Sequence, residues 1–290
     1  MHETSDSLTR SYRERVDAAC RLLEERIDVD VPLDEVAKVA CLSTFHFHRL
    51  FRGLTGETVR GYVRRIRLEQ AAHRLTQGKE DILRIALDVG YSSHEAFTRA
   101  FQKRFGVAPS VFREEKRTMM QSAATDMSPI DVRIETREPV AVAAVRHVGP
   151  YDQVGDAWKT LMKWGWTKMI FGRPPEMFGL CHDDPDVTDA DKLRYDACMV
   201  VSPGTRVKGD IQLRDVPGGT YAVTTHAGTY ASMGETYAKL FAHVAEKEIA
   251  GRRFVLGTPP SLEKYLNDPR KTKPEALRTE VWMPVSPART

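Results

Sequence analysis

Hydrophobic residues recur at helical spacing through the first 113 residues of the chain. An amphipathic helix is predicted over residues 8–27, where one apolar stripe consists of Val16, Cys20, Leu23 and Ile27. Five shorter helices are predicted over residues 33–40, 44–55, 59–76, 82–89 and 93–105. Gly and Ser mark the breaks between them, with Ser43 and either Ser92 or Ser93 at N-cap positions. A last short turn is expected to end at Arg113, and residues 114–129, which have no apolar period, are predicted to be a linker.

From Ile130 the pattern changes to short alternating strands separated by Gly and Pro turns, with helical segments near 152–165 and 232–250. This part contains an internal repeat. Residues 145–161 align without gaps on residues 224–240, and residues 184–201 align on residues 268–285 in the same order. The sequence therefore predicts a duplicated strand–helix–strand–strand unit, in an α+β domain over 130–287 that follows an all-α domain over 8–113.

The two helical pairs of the first domain resemble each other. Their second helices share Ser-x-x-x-Phe-x-Arg-x-Phe, from Ser43 to Phe51 and from Ser93 to Phe101. A small residue four positions before each turn, Ala37 or Ala86, lets two helices cross closely, as they do in a helix-turn-helix. The phenylalanines of both helices are predicted to be core.

The opposite face of each second helix is where base contacts would lie. Its candidate residues are Thr44, Phe45, His48, Arg49, Ser93, His94, Glu95 and Arg99. Arginine and histidine can donate to guanine, and Phe45 can contact thymine methyl groups. A solvated helix face is the alternative for a single helix of this kind, but two copies 50 residues apart favour binding to double-stranded DNA.

Composition and charge agree with this interpretation. The chain has 290 residues, enough for two domains, and no apolar run approaches the roughly 18 residues that cross a bilayer. Residues 1–117 carry 21 Lys and Arg against 18 Asp and Glu, and eight of the bases lie between Lys38 and Arg74 with two acids, which suits a phosphate backbone. The four cysteines, Cys20, Cys41, Cys181 and Cys198, contain no CxxC pair and are expected to be reduced and mostly buried.

Residues 33–113 resemble the AraC/XylS family of bacterial transcription regulators. The signature includes Ile85-Ala86-x-x-x-Gly90-Tyr91 and Phe97-x-Arg99-x-Phe101-x-x-x-Phe105-Gly106-x-x-Pro109. The resemblance implies base contacts by Phe45, His48 and Arg49 in the first recognition helix and by His94, Glu95 and Arg99 in the second. Cys41 departs from the glycine that is common at the first turn.

Residues 129–285 resemble the GyrI-like small-molecule-binding domain, on motifs such as His147-x-Gly149-Pro150-Tyr151 and Glu263-x-Tyr265-Leu266-Asn267-Asp268-Pro269. The domain order is that of the Rob-like branch of the AraC/XylS family. The resemblance implies a cytoplasmic, nucleoid-associated regulator of a multidrug response, with RNA polymerase as a partner, no membrane association and a monomeric or weakly dimeric state. No cofactor and no metal site are expected.

The repeat adds one asymmetry. Where the second repeat has Glu263, the first has Gly179, so that an acid faces a glycine where a groove between the halves would lie. The resemblance implies that Glu263 faces a ligand, often cationic and aromatic. The candidate effector-binding residues are Glu263, Tyr151, Trp166, Phe178, Tyr230 and Tyr265, and Trp164 and Trp282 are further aromatic candidates. A core position is the alternative for each aromatic residue, and a surface ion pair is the alternative for Glu263.

Two other interpretations of the second domain stay open at this point: a small-molecule hydrolase, with Glu263 and a tyrosine activating water, and a protein-interaction module. An enzyme is not the favoured interpretation, because an attached DNA-binding domain would then be unexpected. His147 and His226 are repeat equivalents at strand-to-helix corners and are predicted to stabilise a turn.

Overall fold

The computed structural model describes residues 2–77, 80–125, 130–166, 175–207, 209–257 and 260–288. The chain divides into two compact units, Met1–Glu114 and Glu115–Thr290. None of the helices in these described ranges is long and apolar enough to cross a membrane.

The first unit is all-helical, as predicted. Its helices are α1 (His2–Glu25), α2 (Leu33–Val39), α3 (Thr44–Thr55), α4 (Val59–Gln77), α5 (Ile82–Asp88), α6 (His94–Phe105) and the start of α7 (Pro109–Thr125). The pairs α2–α3 and α5–α6 are the two helix-turn-helix units, and α4 connects them. The small residues at the crossings are buried as expected, with Ala37 1% and Ala86 0% exposed.

Local sequence explains where the recognition helices begin and end. The Ser43 hydroxyl accepts a hydrogen bond from the His46 amide, and the Ser93 hydroxyl accepts one from the Ala96 amide. Gly56 and Gly106 end the same helices in the left-handed conformation. Phe47, Phe51, Phe97 and Phe101 are fully buried, which confirms the predicted core.

The predicted linker over 114–129 was wrong in its first part, because α7 continues to Thr125. Residues 114–125 contain neither Gly nor Pro and are rich in Glu, Lys, Arg, Met, Gln and Ala, which are strong helix formers. Intrinsic propensity therefore continues the helix without an apolar stripe. Residues 126–129 lie outside the described residues.

The second unit is a curled antiparallel sheet with two helices. Its strands are β1 (Arg133–Arg137), β2 (Val140–Val148), β3 (Met177–Cys181), β4 (Arg194–Val200), β5 (Gln212–Val216), β6 (Gly219–Ala227), β7 (Phe254–Leu256), β8 (Ser261–Tyr265) and β9 (Arg278–Pro287). The helices are α8 (Gly155–Trp166), after β2, and α9 (Met233–Glu246), after β6. The predicted duplication is confirmed: β2-α8-β3-β4 and β6-α9-β8-β9 are equivalent.

The sheet order shows the symmetry of the repeats. The strand order is β1-β6-β9-β8-β3-β4-β2-β5, and β7 pairs with β9 outside this order. Outward from the central pair β8–β3, the strands on one side are the repeat equivalents of the strands on the other. A pseudo-twofold axis therefore runs between β3 and β8. The short strand that precedes each repeat, β1 or β5, pairs with the first long strand of the other repeat.

Both faces of the sheet carry apolar residues. On one face Leu161 of α8 and Leu240 of α9 pack into two separate cores. On the other face Phe178, Leu262 and Trp282 belong to a third core. Glu263 and Gly179, one residue away from Leu262 and Phe178, consequently lie on the helix-covered face, because neighbouring strand residues point to opposite sides.

The two repeat-equivalent histidines have the predicted turn role. His147 Nε2 lies 3.1 Å from the Pro150 carbonyl oxygen, and His226 Nε2 lies 2.9 Å from that of Thr229. The glycine two residues later has a positive φ in each repeat, +136° at Gly149 and +123° at Gly228. The same corner is thus built twice.

Candidate functional site

The first candidate site is the outer face of the two recognition helices. Of the candidate base-contacting residues, Thr44, Phe45, His48, Arg49, His94, Glu95 and Arg99 are exposed. Ser93 is half-buried and its hydroxyl caps α6, so that one lone pair of this oxygen is already used. Phe45 is 72% exposed, which is unusual for a phenylalanine and leaves its ring available to a partner.

Local contacts determine how the charged side chains of this face are placed and ionised. The Arg49 guanidinium lies 5.8 Å from the centre of the Phe45 ring, one helical turn earlier, so that the two side chains form a cation–π pair. In α6, the backbone amide of Glu95 itself and the Ser93 hydroxyl lower the pKa of the Glu95 carboxyl. Glu95 is therefore ionised at neutral pH and can only accept hydrogen bonds.

The basic residues of α4 have different roles. Arg64 is exposed, whereas Arg65 is 9% exposed and donates to Glu57 and Glu69. Burial disfavours the charge of Arg65, but Glu69 and Glu57 nevertheless raise the pKa of its guanidinium. Arg65 is therefore an internal ion-pair residue and, unlike Arg64, is not placed to contact phosphate.

Arg67 stabilises the first unit from within. Its side chain donates to the carbonyls of Ile27 at 2.7 Å and Val29 at 3.0 Å, after the end of α1. The same guanidinium lies against Gly90, where an added Cβ would be 2.7 Å from it. One arginine thus holds together the segment after α1 and the turn of the second helix-turn-helix.

The second candidate site lies at the pseudo-twofold axis of the sheet. Gly179 of β3 and Glu263 of β8 are direct register partners in the central strand pair. The equivalent positions of the two repeats therefore meet, and one supplies an acid where the other has no side chain.

Glu263 is held by neutral donors. Tyr237 donates to its Oε1 at 3.1 Å, Tyr265 donates to its Oε2 at 3.1 Å, and the Cys181 thiol lies 3.5 Å from Oε1. Burial raises the pKa of Glu263, and the hydrogen bonds from Tyr265, Cys181 and Tyr237, together with the electrostatic effect of His226, offset this only in part. A carboxylate in this position has lost water without gaining a cation from these three partners.

Further aromatic residues extend this arrangement. Trp158 Nε1 donates to the Tyr195 hydroxyl at 3.0 Å, and that hydroxyl lies 2.6 Å from the hydroxyl of Tyr265. Because the single hydroxyl hydrogen of Tyr265 goes to Glu263, Tyr195 donates to Tyr265. A chain of three hydrogen bonds, from Trp158 through both tyrosines, therefore ends on the carboxylate of Glu263.

Two tyrosines of the repeated turns complete the group. The ring of Tyr230, 43% exposed, meets Tyr265 edge to face at 5.8 Å. The ring centre of its repeat equivalent Tyr151 lies 6.0 Å from that of Tyr195, and the Tyr151 hydroxyl donates to the Asp183 carbonyl at 2.8 Å. We call the set the Glu263 cluster; its members are Tyr151, Trp158, Cys181, Tyr195, Tyr230, Tyr237, Glu263 and Tyr265.

Gly179 makes room for a side chain of the protein itself. A Cβ at Gly179 would lie 2.1 Å from the Tyr195 hydroxyl oxygen. The space that the glycine leaves is therefore filled by the Tyr195 ring. The glycine makes room for the hydrogen-bond chain rather than for a ligand.

The structure brings together four of the predicted effector residues: Tyr151, Tyr230, Glu263 and Tyr265. It does not bring Phe178 to them, because Phe178 is fully buried on the opposite face of the sheet, under the Arg137 guanidinium. Trp282 belongs to the same opposite core and donates to Glu280. Trp164 packs into the core under α8, and the side chain of Trp166 lies outside the described residues.

Sequence reasoning missed four members of the cluster: Trp158, Cys181, Tyr195 and Tyr237. The repeat alignment contained the signal for two of them, because Trp158 and Tyr237 are aligned equivalents. Tyr151 and Tyr230 are equivalents as well. Aromatic pairs at matched repeat positions thus converge on the pseudo-twofold axis. Among the cysteines, Cys20, Cys181 and Cys198 are buried and Cys41 is exposed, which agrees with the expectation that most of them are buried.

These two sites define a DNA-binding protein with an attached small-molecule domain, and comparison with known proteins agrees. Residues 36–115 match the model of a helix-turn-helix domain, and residues 130–286 match that of the GyrI-like small molecule binding domain. The chain belongs to the AraC/XylS family of DNA-binding transcription regulators and carries a GyrI-like domain.

Several similar curated proteins are named as regulators or as an origin-binding protein. The regulatory protein SoxS of Salmonella typhimurium is 34% identical over 103 residues, 36% of this chain and 96% of that protein. The transposon Tn10 TetD protein of Escherichia coli is 40% identical over 94 residues, 32% of this chain and 68% of that protein. The right origin-binding protein of Escherichia coli is 38% identical over 91 residues, 31% of this chain and 32% of that protein.

Among solved structures, the EcmrR–DNA complex in EcmrR-RPo has 15% identity and a TM-score of 0.47, and the match covers 88% of this chain and 99% of that one.

Proposed function

We propose that the chain is a ligand-responsive regulator whose Glu263 cluster binds a small, cationic and largely apolar effector. The observation that carries this proposal is the carboxylate of Glu263, held by two phenols and a thiol at the pseudo-twofold axis. A buried carboxylate is costly unless a positive charge compensates it. An effector cation supplies that charge, and the surrounding aromatic faces attract the same ligand through cation–π contact.

The aromatic composition argues against a small inorganic cation. A metal ion of the Mg²⁺ or Ca²⁺ type needs several oxygen ligands, whereas the cluster offers one carboxylate among rings. An organic cation gains from both features, because it buries apolar area and pairs its charge. The half-exposed Tyr230 ring provides an edge over which such a ligand enters.

The test uses two probes of equal shape, the cation trimethylphenylammonium and its neutral isostere tert-butylbenzene, with calorimetry on the full chain. Glu263→Gln keeps the volume and an acceptor oxygen and removes the charge. We expect it to weaken the cation at least tenfold, about 1.4 kcal/mol, and to change binding of the neutral probe much less. Asp156→Asn removes an exposed acid of α8 and serves as the matched control.

Equal losses for both probes in Glu263→Gln would mean that Glu263 shapes the site without supplying charge. Unchanged binding of the cation would place the effector site elsewhere. Either result contradicts the proposal.

For DNA, we propose that the exposed residues of α3 and α6 contact bases in two successive major grooves, with RNA polymerase as the downstream partner. Both recognition helices lie in one chain, so a single copy covers two grooves about 34 Å apart on an asymmetric site of roughly 20 base pairs. Selection of binding sites from random DNA tests this. An inverted repeat that only dimers bind would contradict it.

A further inference from the structure

A separate cavity of about 370 Å³ lies at the edge of the second unit. Its walls are the end of β6, the segment that leads into β1, and the first two turns of α9. Thr236 of α9 lines this cavity, whereas the next residue, Tyr237, donates to Glu263. Helix α9 therefore stands between the cavity and the Glu263 cluster.

The floor of the cavity is polar and buried. Thr224 is 3% exposed and His226 is 4% exposed. His226 Nε2 donates to the Thr229 carbonyl, so in the neutral ring Nδ1 accepts from the Thr236 hydroxyl at 2.7 Å. The Thr224 hydroxyl donates to the Asp131 carbonyl at 2.8 Å. Both threonines have thus used their hydrogens, and their oxygens remain as acceptors for the donors of a ligand.

The first repeat shows that the fold does not require this polarity. In the gap-free alignment, Val145 stands at the position of Thr224 and Ala157 at that of Thr236. Both belong to the apolar core under α8. Thr160 stands where the second repeat has Lys239. Two of these three positions therefore carry apolar side chains in the first repeat and hydroxyls in the second, and the third carries a hydroxyl in the first repeat and an ammonium in the second.

The two hydroxyls are hydrogen-bonded inside the protein, to the Asp131 carbonyl and to His226, which offsets the cost of burying them. The turn itself does not require them, because His147 makes the same carbonyl contact in the first repeat without them. Their remaining acceptor lone pairs, which the apolar side chains of the first repeat lack, suit a polar ligand.

The rim specifies the charge of that ligand. Two acids, Asp131 and Glu235, and two bases, Arg133 and Lys239, line the cavity, but the Arg133 guanidinium is paired with Glu135 and Glu280. The rim therefore offers acids for a positive group and Lys239 for a negative one, which favours a ligand that carries both signs. The volume is at the lower end of the range for small-molecule sites, about 300–1,000 Å³, and suits a compact ligand.

We propose that this cavity is a second ligand site, which binds a zwitterion of amino-acid type. The ammonium group of the ligand donates to the Thr224 and Thr236 oxygens near the acids of the rim. The carboxylate pairs with Lys239. This site is distinct from the one proposed around Glu263, although His226 on its floor acts electrostatically on Glu263.

The experiment screens the full chain with the twenty free L-amino acids at millimolar concentration by thermal shift and measures each stabilising one by calorimetry. The key variant gives the second repeat the residues of the first: Thr224→Val, Thr236→Ala and Lys239→Thr together. Lys239→Thr alone is the second variant, in case the triple variant unfolds, and Lys159→Thr on α8 is the matched control.

We expect at least one amino acid to bind, with a loss of tenfold or more in the triple variant, a loss in Lys239→Thr, and no change in Lys159→Thr. The N-acetyl and C-amide derivatives of that amino acid, which each lack one charge, should bind at least tenfold more weakly. Saturating trimethylphenylammonium should not displace the amino acid, because the two ligands occupy different places. The proposal is overturned if no amino acid binds, if the repeat-swapping variants bind as the wild type does, or if both derivatives bind equally well.

Discussion

Gly179 and Glu263 face each other across the central strand pair β3–β8 and occupy the same position in the two repeats. A duplicated sheet would place identical side chains at this point, where a pseudo-twofold axis makes them meet. Here the glycine admits the Tyr195 ring, and Tyr195 in turn donates through Tyr265 to Glu263. The asymmetry thus produces a single polarised carboxylate from two equivalent halves.

Gly179→Ala should disrupt this arrangement. Its Cβ would lie 2.1 Å from the Tyr195 hydroxyl oxygen and 2.4 Å from the ring carbon that bears it, so the buried ring must move. We expect the free energy of unfolding to fall by about 1–3 kcal/mol, as for other overpacked cores. Urea denaturation measures this.

The control for Gly179→Ala is Gly155→Ala, where a Cβ enters open space. A second comparison adds Tyr195→Ala, which removes the clashing ring. In the Tyr195→Ala background, Gly179→Ala should change the free energy of unfolding only slightly. An equal cost with and without the Tyr195 ring would show that the two residues do not interact as described.

The pKa of Glu263 gives a pH dependence with a definite sign. Burial raises this pKa above the ordinary value of 4.5, so between the two values the folded state binds a proton that the unfolded state has released. Stability from this residue is therefore greatest at acidic pH and falls as the pH rises through the raised pKa. Wild type should lose stability over that window relative to Glu263→Gln, and the melting temperature of Glu263→Gln should be the higher at pH 7.

Thermal melts of both proteins across pH 4–8 check this difference, with tyrosine and tryptophan fluorescence as the signal. A saturating organic cation should reverse the order, because it stabilises only the charged form. If wild type gains stability relative to Glu263→Gln as the pH rises without ligand, then the carboxylate has a cationic partner and the proposed effector chemistry is wrong.

Most of the fold and part of the candidate site could be predicted from the sequence. Periodicity located the helices of both helix-turn-helix units, since each presents one apolar face to a shared core. The repeat placed Gly179 at the position equivalent to Glu263. Phe178 was misplaced although strand alternation already excluded it: a residue next to Gly179 points to the opposite face. Tyr195 could not be predicted, because its position depends on which strands pair, and that is a property of the whole sheet.

The length of α7 illustrates a different limit. Hydrophobic period detects helices that pack against a core, and the segment after Arg113 has no such stripe. Its helicity comes from residue propensity instead. Prediction from the hydrophobic period therefore ends α7 at the last residue that packs against the core, although the helical backbone continues to Thr125.

The turns of the two helix-turn-helix units allow a matched comparison of backbone strain. Gly90 has a φ of +84°, and Cys41, in the first turn, has a φ of +53° although it is not glycine. Gly90→Ala should lower the free energy of unfolding by about 1–3 kcal/mol, because a left-handed conformation costs a side chain about 1–2 kcal/mol and the new Cβ meets Arg67.

Cys41→Ala is the control for Gly90→Ala. The wild-type residue already carries a Cβ in the left-handed conformation, and its side chain is exposed, so the change should stay within about 0.5 kcal/mol. Chemical denaturation of the isolated variants measures both. Similar costs at the two turns would contradict the described backbone.

Substitution of three arginines of the first unit should distinguish a residue that contacts bases, one that contacts phosphate and one that stabilises the fold. Arg49 is exposed on α3 and stacks on Phe45, Arg64 is exposed on α4, and Arg65 is buried between Glu57 and Glu69. Arg49→Ala should cost about 1–3 kcal/mol at the preferred site and relax the preference at particular base positions. Arg64→Ala should weaken all sequences alike and reduce the salt dependence by about one unit, as expected for one phosphate contact.

Arg65→Ala should instead lower stability by about 3 kcal/mol, because Glu57 and Glu69 lose the guanidinium that neutralises them in a buried position. Under conditions where the variant is folded, its preferred sequence and salt dependence should match those of the wild type. Binding titrations on selected and scrambled DNA at several salt concentrations, with melts of each variant, distinguish the three. If Arg49→Ala kept the wild-type sequence preference and affinity, α3 would not be the helix that contacts bases.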